Sequence, residues 1–280
     1  MPELPEVEII KRATEASLLK AVIKSVTVRQ PHLRESVPAD FAEQITGAQI
    51  ISFSRKAKYM LMHLDNGLTV IWHFGMSGKI KIESADTPLL LQKHDHIIIE
   101  TTRGTLIYND PRRFGIVSLC ATDCWQKHHL FARLGPDPWD ESFTPSYLAT
   151  RFAHKKTAIK IALLDQTIVC GIGNIYASEI LYLARIHPER SAESITLSEI
   201  KRLIKYTREV LESAIKAGGS SIHDYVHPDG DIGYFQESHC VYNKTGLRCP
   251  HCRCSVARTG GIRKMVLGGR STFYCATLQK

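Results

Sequence analysis

No apolar run in this 280-residue chain is long enough to cross a bilayer, which excludes a membrane-spanning helix. The opening stretch carries acids at Glu3 and Glu6 and has no apolar core segment, so it does not read as a secretory signal. Without such a signal, the eight cysteines do not read as a disulfide framework. There is no internal repeat and no low-complexity tract. The apolar content supports a real core, and the length suits one large domain or two ordinary ones. What the chain has in excess is positive charge. A net +8 suggests an anionic partner, nucleic acid first and an acidic membrane surface second.

The apolar spacing of Val7, Ile10, Ala13 and Leu18 predicts an amphipathic helix over 5–19. From Val22 to Cys120 the pattern becomes one of short strands. Tyr59–Leu64 and Leu68–Trp72 flank Asp65-Asn66-Gly67 and read as a hairpin, and Ile97–Glu100 with Leu106–Tyr108 reads as another. Strands at this spacing predict a β-sandwich or barrel. Residues 121–143, with Pro136 and Pro138, read as a linker. Helices follow: one opened by Thr144-Pro145, one over 158–164, one over 174–184. A long one has a capping box at Thr196-Leu197-Ser198-Glu199 and a stop at Gly218-Gly219. The expected class is α+β: residues 1–120 an N-terminal β-sandwich domain with a leading helix, 144–234 a helical domain, 235–280 a C-terminal finger.

Several stretches can carry chemistry. Removal of Met1 would leave Pro2 as a free secondary amine. A terminal amine titrates at about 7.7–8.0, roughly two and a half units below lysine, so part of it is neutral and nucleophilic near neutral pH. With Glu3 beside it, the amine suits attack on a sugar or carbonyl carbon through an imine. Pro and Glu equally suit a first helical turn, and this stretch alone does not separate the two readings. Gly171-Ile172-Gly173-Asn174 begins like a dinucleotide fingerprint but has Tyr176 where the third glycine belongs. Glycines ahead of a helix still offer backbone N–H groups to a phosphate, or simply form a tight turn. Basic residues gather in Arg55–Lys58, Arg112-Arg113 and His154-Lys155-Lys156. Arg113 precedes Phe114, and Met76 lies between Gly75 and Gly78, which suits a wedge that enters a base stack. His94 and His96 read as one strand face, for DNA contact or surface placement. Cys249-Pro250-His251-Cys252 is a zinc knuckle in form, with Cys275 a third thiolate and Cys254, Cys240, His239 and His251 in reserve.

Taken together and in this order, these stretches resemble the formamidopyrimidine-DNA glycosylase family almost end to end. The resemblance rests on Pro2–Glu8, Lys56–Tyr59, Phe74–Gly78, Lys93–His96, Asp110–Gly115, Gly173–Glu179, Gly233-Tyr234-Phe235 and Gly269–Cys275. It implies a bifunctional glycosylase and abasic-site lyase of base-excision repair, a cytoplasmic monomer acting on damaged double-stranded DNA. Pro2 would be the nucleophile at C1′ and Glu3 the acid assisting base loss. Lys58 would serve the first elimination and Arg270 the second. Met76, Arg113 and Phe114 would fill the gap left by a flipped base, while His94, Lys156 and Asn174 would contact the DNA backbone. Residues 158–185 would form a helix–two-turn–helix element, and the loop after Gly218 would meet the flipped base. The opening and the Arg-Arg-Phe wedge resemble the purine-directed branch. Rival readings are an endonuclease VIII-like enzyme for oxidised pyrimidines and a non-catalytic damage-binding relative.

The resemblance also implies a zinc-finger-like β-hairpin with one structural zinc on Cys249, Cys252 and Cys275. Here the chain departs from the family, because Leu278 stands where a fourth cysteine belongs. The span from Cys252 to Cys275 is also longer than usual, and a metal-free finger held by packing is the other reading.

Overall fold

The computed structural model describes residues 2–84, 86–219, 238–253 and 255–280. Gly233-Tyr234-Phe235, Cys254 and the loop beyond Gly219 lie outside the described residues. Two compact units form, one on the chain up to Ala132 with residues 217–219, the other on Arg133–Lys216 and the described C-terminal residues.

The first unit opens with α1, Leu4–Leu18. It begins one residue earlier than the apolar spacing predicts, because Glu3 is its N-cap and the Glu6 carboxylate accepts the Glu3 amide N–H at 2.9 Å. Val7, Ile10 and Leu18 on its inner face are fully buried, each worth about 1.5–3 kcal/mol. A short helix, α2 (Phe41–Ile45), and two four-stranded antiparallel sheets complete the unit. One has β1 (Ile23–Val28), β6 (Asp95–Thr101), β7 (Thr105–Asn109) and β5 (Lys79–Glu83) in that order across it. The other has β2 (Ile50–Lys56), β3 (Tyr59–Leu64), β4 (Leu68–His73) and β8 (Ile116–Ala121). Ile97, Ile99, Leu106 and Tyr108 of the first sheet share one core with Met60, Met62, Val70 and Trp72 of the second and with the inner face of α1. This is the expected sandwich with a leading helix. Both expected hairpins form, Met60 opposite Trp72 and Ile98 opposite Ile107.

In the second unit, Thr144 caps α3 (Pro145–Phe152) by accepting the Tyr147 N–H at 3.2 Å. Then come α4 (Ile159–Leu164), two turns, and α5 (Asn174–Leu183), the helix–two-turn–helix element. The capping box holds: Thr196 N–H donates to Glu199 at 2.9 Å and Glu199 N–H to Thr196 Oγ1 at 3.3 Å, opening α6 (Leu197–Lys216). The finger is a hairpin of β9 (Arg263–Leu267) and β10 (Arg270–Tyr274). Its turn, Gly268-Gly269, has φ of 53° and 71°, the two left-handed positions that a tight hairpin needs.

The stretch over 121–143 contains a 3₁₀ helix, Thr122–Lys127, whose Trp125 packs edge-on against Phe131 at 5.2 Å. Among the described residues no helix is long and apolar enough to cross a membrane.

Candidate functional site

The N-terminal pair is set by the first turn of α1. Pro2 and Glu3 are both buried, Glu3 only 2% exposed. Lys58 is also buried, at the turn between β2 and β3. Two side chains tie that turn to α1. Glu8 of α1 accepts from Arg55 Nε at 3.0 Å, and Arg55 Nη1 donates to the Ala57 carbonyl at 3.1 Å. Ala57 has φ of 54°, so the hairpin is sharply bent beside Lys58. Burial alone would raise the Glu8 carboxyl, but Arg12, Arg55 and Lys11 outweigh it and hold it below its usual value.

Met76, Arg113 and Phe114 are all exposed, and the loops carrying them touch. A Cβ on Gly75 would lie 2.4 Å from the Phe114 carbonyl carbon, and Gly75 has φ of 56°, so only glycine fits there. The fully buried Asp110 holds both loops. Its carboxylate accepts from Ser77 Oγ at 2.5 Å and from the Gly115 N–H at 2.8 Å. The Arg112 guanidinium sits 4.9 Å over the Phe114 ring.

His94 precedes β6, and its ring lies edge-on to that of His96 at 6.1 Å. In the β6–β7 ladder His96 falls at an irregularity between Asp95 and Ile97. His96 is buried, with Nε2 donating to the Asp110 carbonyl at 2.8 Å, so it is structural and not on the surface. His94 is half-buried.

His73 accepts the Gly75 N–H on Nδ1 at 3.2 Å. Burial, then the charges of Lys58 and Arg34, lower it to about 4, so the ring is neutral as this acceptor role requires. An unfolded histidine takes its proton near 6.5. Stability from this group is therefore full above about pH 6.5 and is lost as pH falls through 4. His73→Asn keeps an acceptor and removes the titration. Thermal melts of the two proteins between pH 7 and 4.5 are expected to show a shallower decline for the variant, and parallel declines would refute this role.

In the second unit, Lys156 is exposed and lines a basic hollow with Arg151, His154 and Lys155. Arg270 is exposed on β10 and lines an adjoining cavity of about 500 Å³ with Lys155, Thr157 and Gly268. The glycine turn before α5 is locked by Gln166, which accepts the Gly171 N–H at 2.8 Å and donates to the Ile172 carbonyl at 2.9 Å. Asn174 opens α5 and donates through Nδ2 to the Ser271 carbonyl at 3.0 Å. Two buried groups escaped the sequence reading here. Lys160 reaches Asn174, Ser271 and Thr272. Glu179 accepts the N–H groups of Cys240, Val241 and Tyr242 at 2.8, 3.0 and 2.7 Å, and its burial still raises its carboxyl. The only sequence signal for either was a charged residue inside an apolar helical run.

Cys249, Cys252 and Cys275 come together, their sulfurs within 4.8 Å of one another. The 3.7 Å between Cys252 and Cys275 Sγ is close to the ~3.8 Å edge of a tetrahedron with metal–sulfur bonds of about 2.3 Å. Tyr182 Oη lies 3.1 Å from Cys249 Sγ. Burial raises the Cys249 thiol, but the Tyr182 hydroxyl and the His251 N–H more than offset this. The three thiolates can thus hold a metal ion, while Leu278 packs against the same cluster. Cys240 and His239 are not in the sulfur cluster.

Residues 1–117 match the Formamidopyrimidine-DNA glycosylase N-terminal domain family, and residues 134–226 the Formamidopyrimidine-DNA glycosylase H2TH domain family. The Formamidopyrimidine-DNA glycosylase of Acidiphilium cryptum is 44% identical, and that of Rhodospirillum rubrum 42%, each aligned over the whole of both chains. Among solved structures, Lactococcus lactis Fpg with an abasic site containing DNA superposes with a TM-score of 0.89 at 35% identity, covering both chains fully. The fold and the match thus define a DNA glycosylase architecture. The chain belongs to the formamidopyrimidine-DNA glycosylase family.

Proposed function

We propose that this protein is a bifunctional DNA glycosylase and abasic-site lyase that removes oxidised purines, 8-oxoguanine and formamidopyrimidines, and then cuts the strand. One observation carries the reading. Pro2 and Glu3 are buried at the start of α1, with the Glu3 amide fastened by Glu6, in a chain that aligns throughout with relatives named Formamidopyrimidine-DNA glycosylase. A variant of Lactococcus lactis Fpg has been solved with a Fapy-dG containing DNA, at a TM-score of 0.90.

The target carbon is hidden in the base stack, so the nucleotide must be extruded at a cost of a few kcal/mol. Met76, Arg113 and Phe114 fill the vacancy. His94, Lys156, Asn174 and Arg270 hold the backbone, which makes binding steeply salt-dependent. The Pro2 nitrogen bonds to C1′ as the glycosidic bond breaks and the base leaves with a proton from Glu3; the proton then lost from the Pro2 nitrogen returns through Glu3 to the ring oxygen as the C1′–O4′ bond opens to the iminium. The resulting iminium draws electrons from C2′. Loss of a C2′ proton, served by Lys58, expels the 3′ phosphate, and the second elimination, assisted by Arg270, expels the 5′ phosphate. Residues 217–219 return to the first unit, and a Cβ on Gly219 would lie 3.2 Å from Glu6 Oε1. Gly219 therefore lies beside the helix that holds Pro2. Cys249, Cys252 and Cys275 would hold one zinc ion, which would brace the finger.

Borohydride reduction in the presence of an oxidised-guanine duplex is expected to trap the processed protein on DNA. Retained binding without a trapped species would leave a non-catalytic damage-binding protein. A second reading has a specific support, since wild-type Lactococcus lactis Fpg has been solved with an oxidized pyrimidine containing DNA. Faster cleavage of thymine glycol than of oxidised guanine would favour that branch.

A further inference from the structure

Lys160 is fully buried, which is costly for an ammonium unless its hydrogen bonds are met. Its Nζ lies 2.6 Å from Asn174 Oδ1, 2.6 Å from Thr272 Oγ1 and 3.1 Å from the Ser271 carbonyl. Three donors thus meet three oxygens on two separate elements, the first residue of α5 and the middle of β10. Asn174 closes the triangle by donating to the same Ser271 carbonyl. Thr272 is fully buried, and β10 begins at Arg270, two residues before it. The hairpin turn is seated on the same helix that carries Lys160, since a Cβ on Gly268 would lie 2.8 Å from Ile161 Cδ1. At the other end of the finger, Glu179 gathers three successive backbone N–H groups. None of these bonds involves a cysteine sulfur.

We propose that Lys160 is the positioning residue that locks Arg270 of the finger and Asn174 of the α5 N-terminus into one phosphate-binding unit, and that it does so without the metal. The proposal rests on the reading of Arg270 and Asn174 as DNA-backbone contacts. It accounts for how a finger with Leu278 in place of a fourth thiolate keeps its DNA-facing strand in register. The sulfur cluster braces the far end of the hairpin, while the buried ammonium braces the strand that bears Arg270.

The test compares wild type, Lys160→Met and Arg270→Ala, with metal content measured for each. The readouts are affinity for a duplex with an abasic-site analogue, borohydride trapping, and the share of product that has undergone both eliminations. Lys160→Met is expected to lose at least tenfold in affinity and to shift the product pattern toward that of Arg270→Ala, with trapping retained on a single-stranded abasic substrate. Its metal content is expected to equal that of wild type, so the loss does not come from the metal. A merely structural lysine would lower melting temperature and all activities together and would leave the product share unchanged. Should Lys160→Met fail to fold, Thr272→Val removes one acceptor with little change of shape and is expected to shift the product share in the same direction. Wild-type affinity and product share in the folded lysine variant, or in Thr272→Val, would overturn the proposal. So would a Lys160→Met protein whose loss of affinity follows a loss of bound metal. If wild type itself gives no trapped species, the catalytic reading fails, and the affinity comparison alone still decides the role of Lys160.

Discussion

Glu3→Gln is expected to slow release of an oxidised purine by roughly 10²–10⁴-fold, the usual worth of a positioned acid, while sparing imine formation at a pre-formed abasic site. The fold should hold, because the capping box at the start of α1 survives: the Glu3 side chain accepts the Glu6 N–H, which a glutamine oxygen can also do. The Glu3 amide N–H, which glutamine retains, donates to Glu6 at 2.9 Å. Glutamine also fills nearly the same buried volume as the acid, which is 2% exposed. What changes is the ability to give up a proton. Base departure needs that proton, whereas an abasic sugar already presents an aldehyde that the Pro2 amine can attack. Single-turnover base release and borohydride trapping on an abasic duplex separate the two steps. Equal loss of both would mean that Glu3 only holds Pro2, and loss of neither would remove it from the chemistry.

Features governed by short-range period or turn chemistry were legible in the sequence. Val7, Ile10 and Leu18 point inward on α1 as their spacing requires. Gly67 sits in the β3–β4 turn with φ of 81°, and Thr196 with Glu199 caps α6. The three clustered thiolates were legible as well, because sulfur spacing carries chemistry directly. The polar supports behind the site were not. Lys160 reads locally as a surface lysine, and two of its acceptors lie 111 and 112 positions further along the chain. Glu179 finds its donors at residues 240–242. His96 alternates correctly on paper, but a strand irregularity turns it into the core. Burial of such groups is decided by which distant oxygen or N–H comes to meet them. No local period records that.

Asp110→Ala is expected to destabilise the first unit by about 3 kcal/mol or more, since each buried donor left unpaired costs about 1–3 kcal/mol. The donors are the Ser77 hydroxyl at 2.5 Å, the Gly115 N–H at 2.8 Å and the Tyr108 hydroxyl at 3.3 Å. They come from three places: the Met76 loop, the Phe114 loop and β7. Ser77 in turn accepts the Arg112 N–H at 3.2 Å, so the carboxylate fixes both wedge loops through one hub. The backbone of Asp110 adds to this, its carbonyl accepting from His96 and from the Arg113 N–H at 3.1 Å. That second set survives in alanine, so the loops should loosen without the sheet being lost. Asp110→Asn should fall between, because its amide turns one N–H group toward an existing donor. The functional consequence separates wedge from chemistry. On the proposed reading, a flipped nucleotide in duplex DNA needs Met76, Arg113 and Phe114 in place, whereas a single-stranded abasic sugar does not. Trapping by the alanine variant, measured well below its melting temperature, should therefore fall at least tenfold on duplex and stay near wild type on single-stranded abasic DNA. Equal losses on both would show that Asp110 supports the Pro2 site itself rather than the wedge.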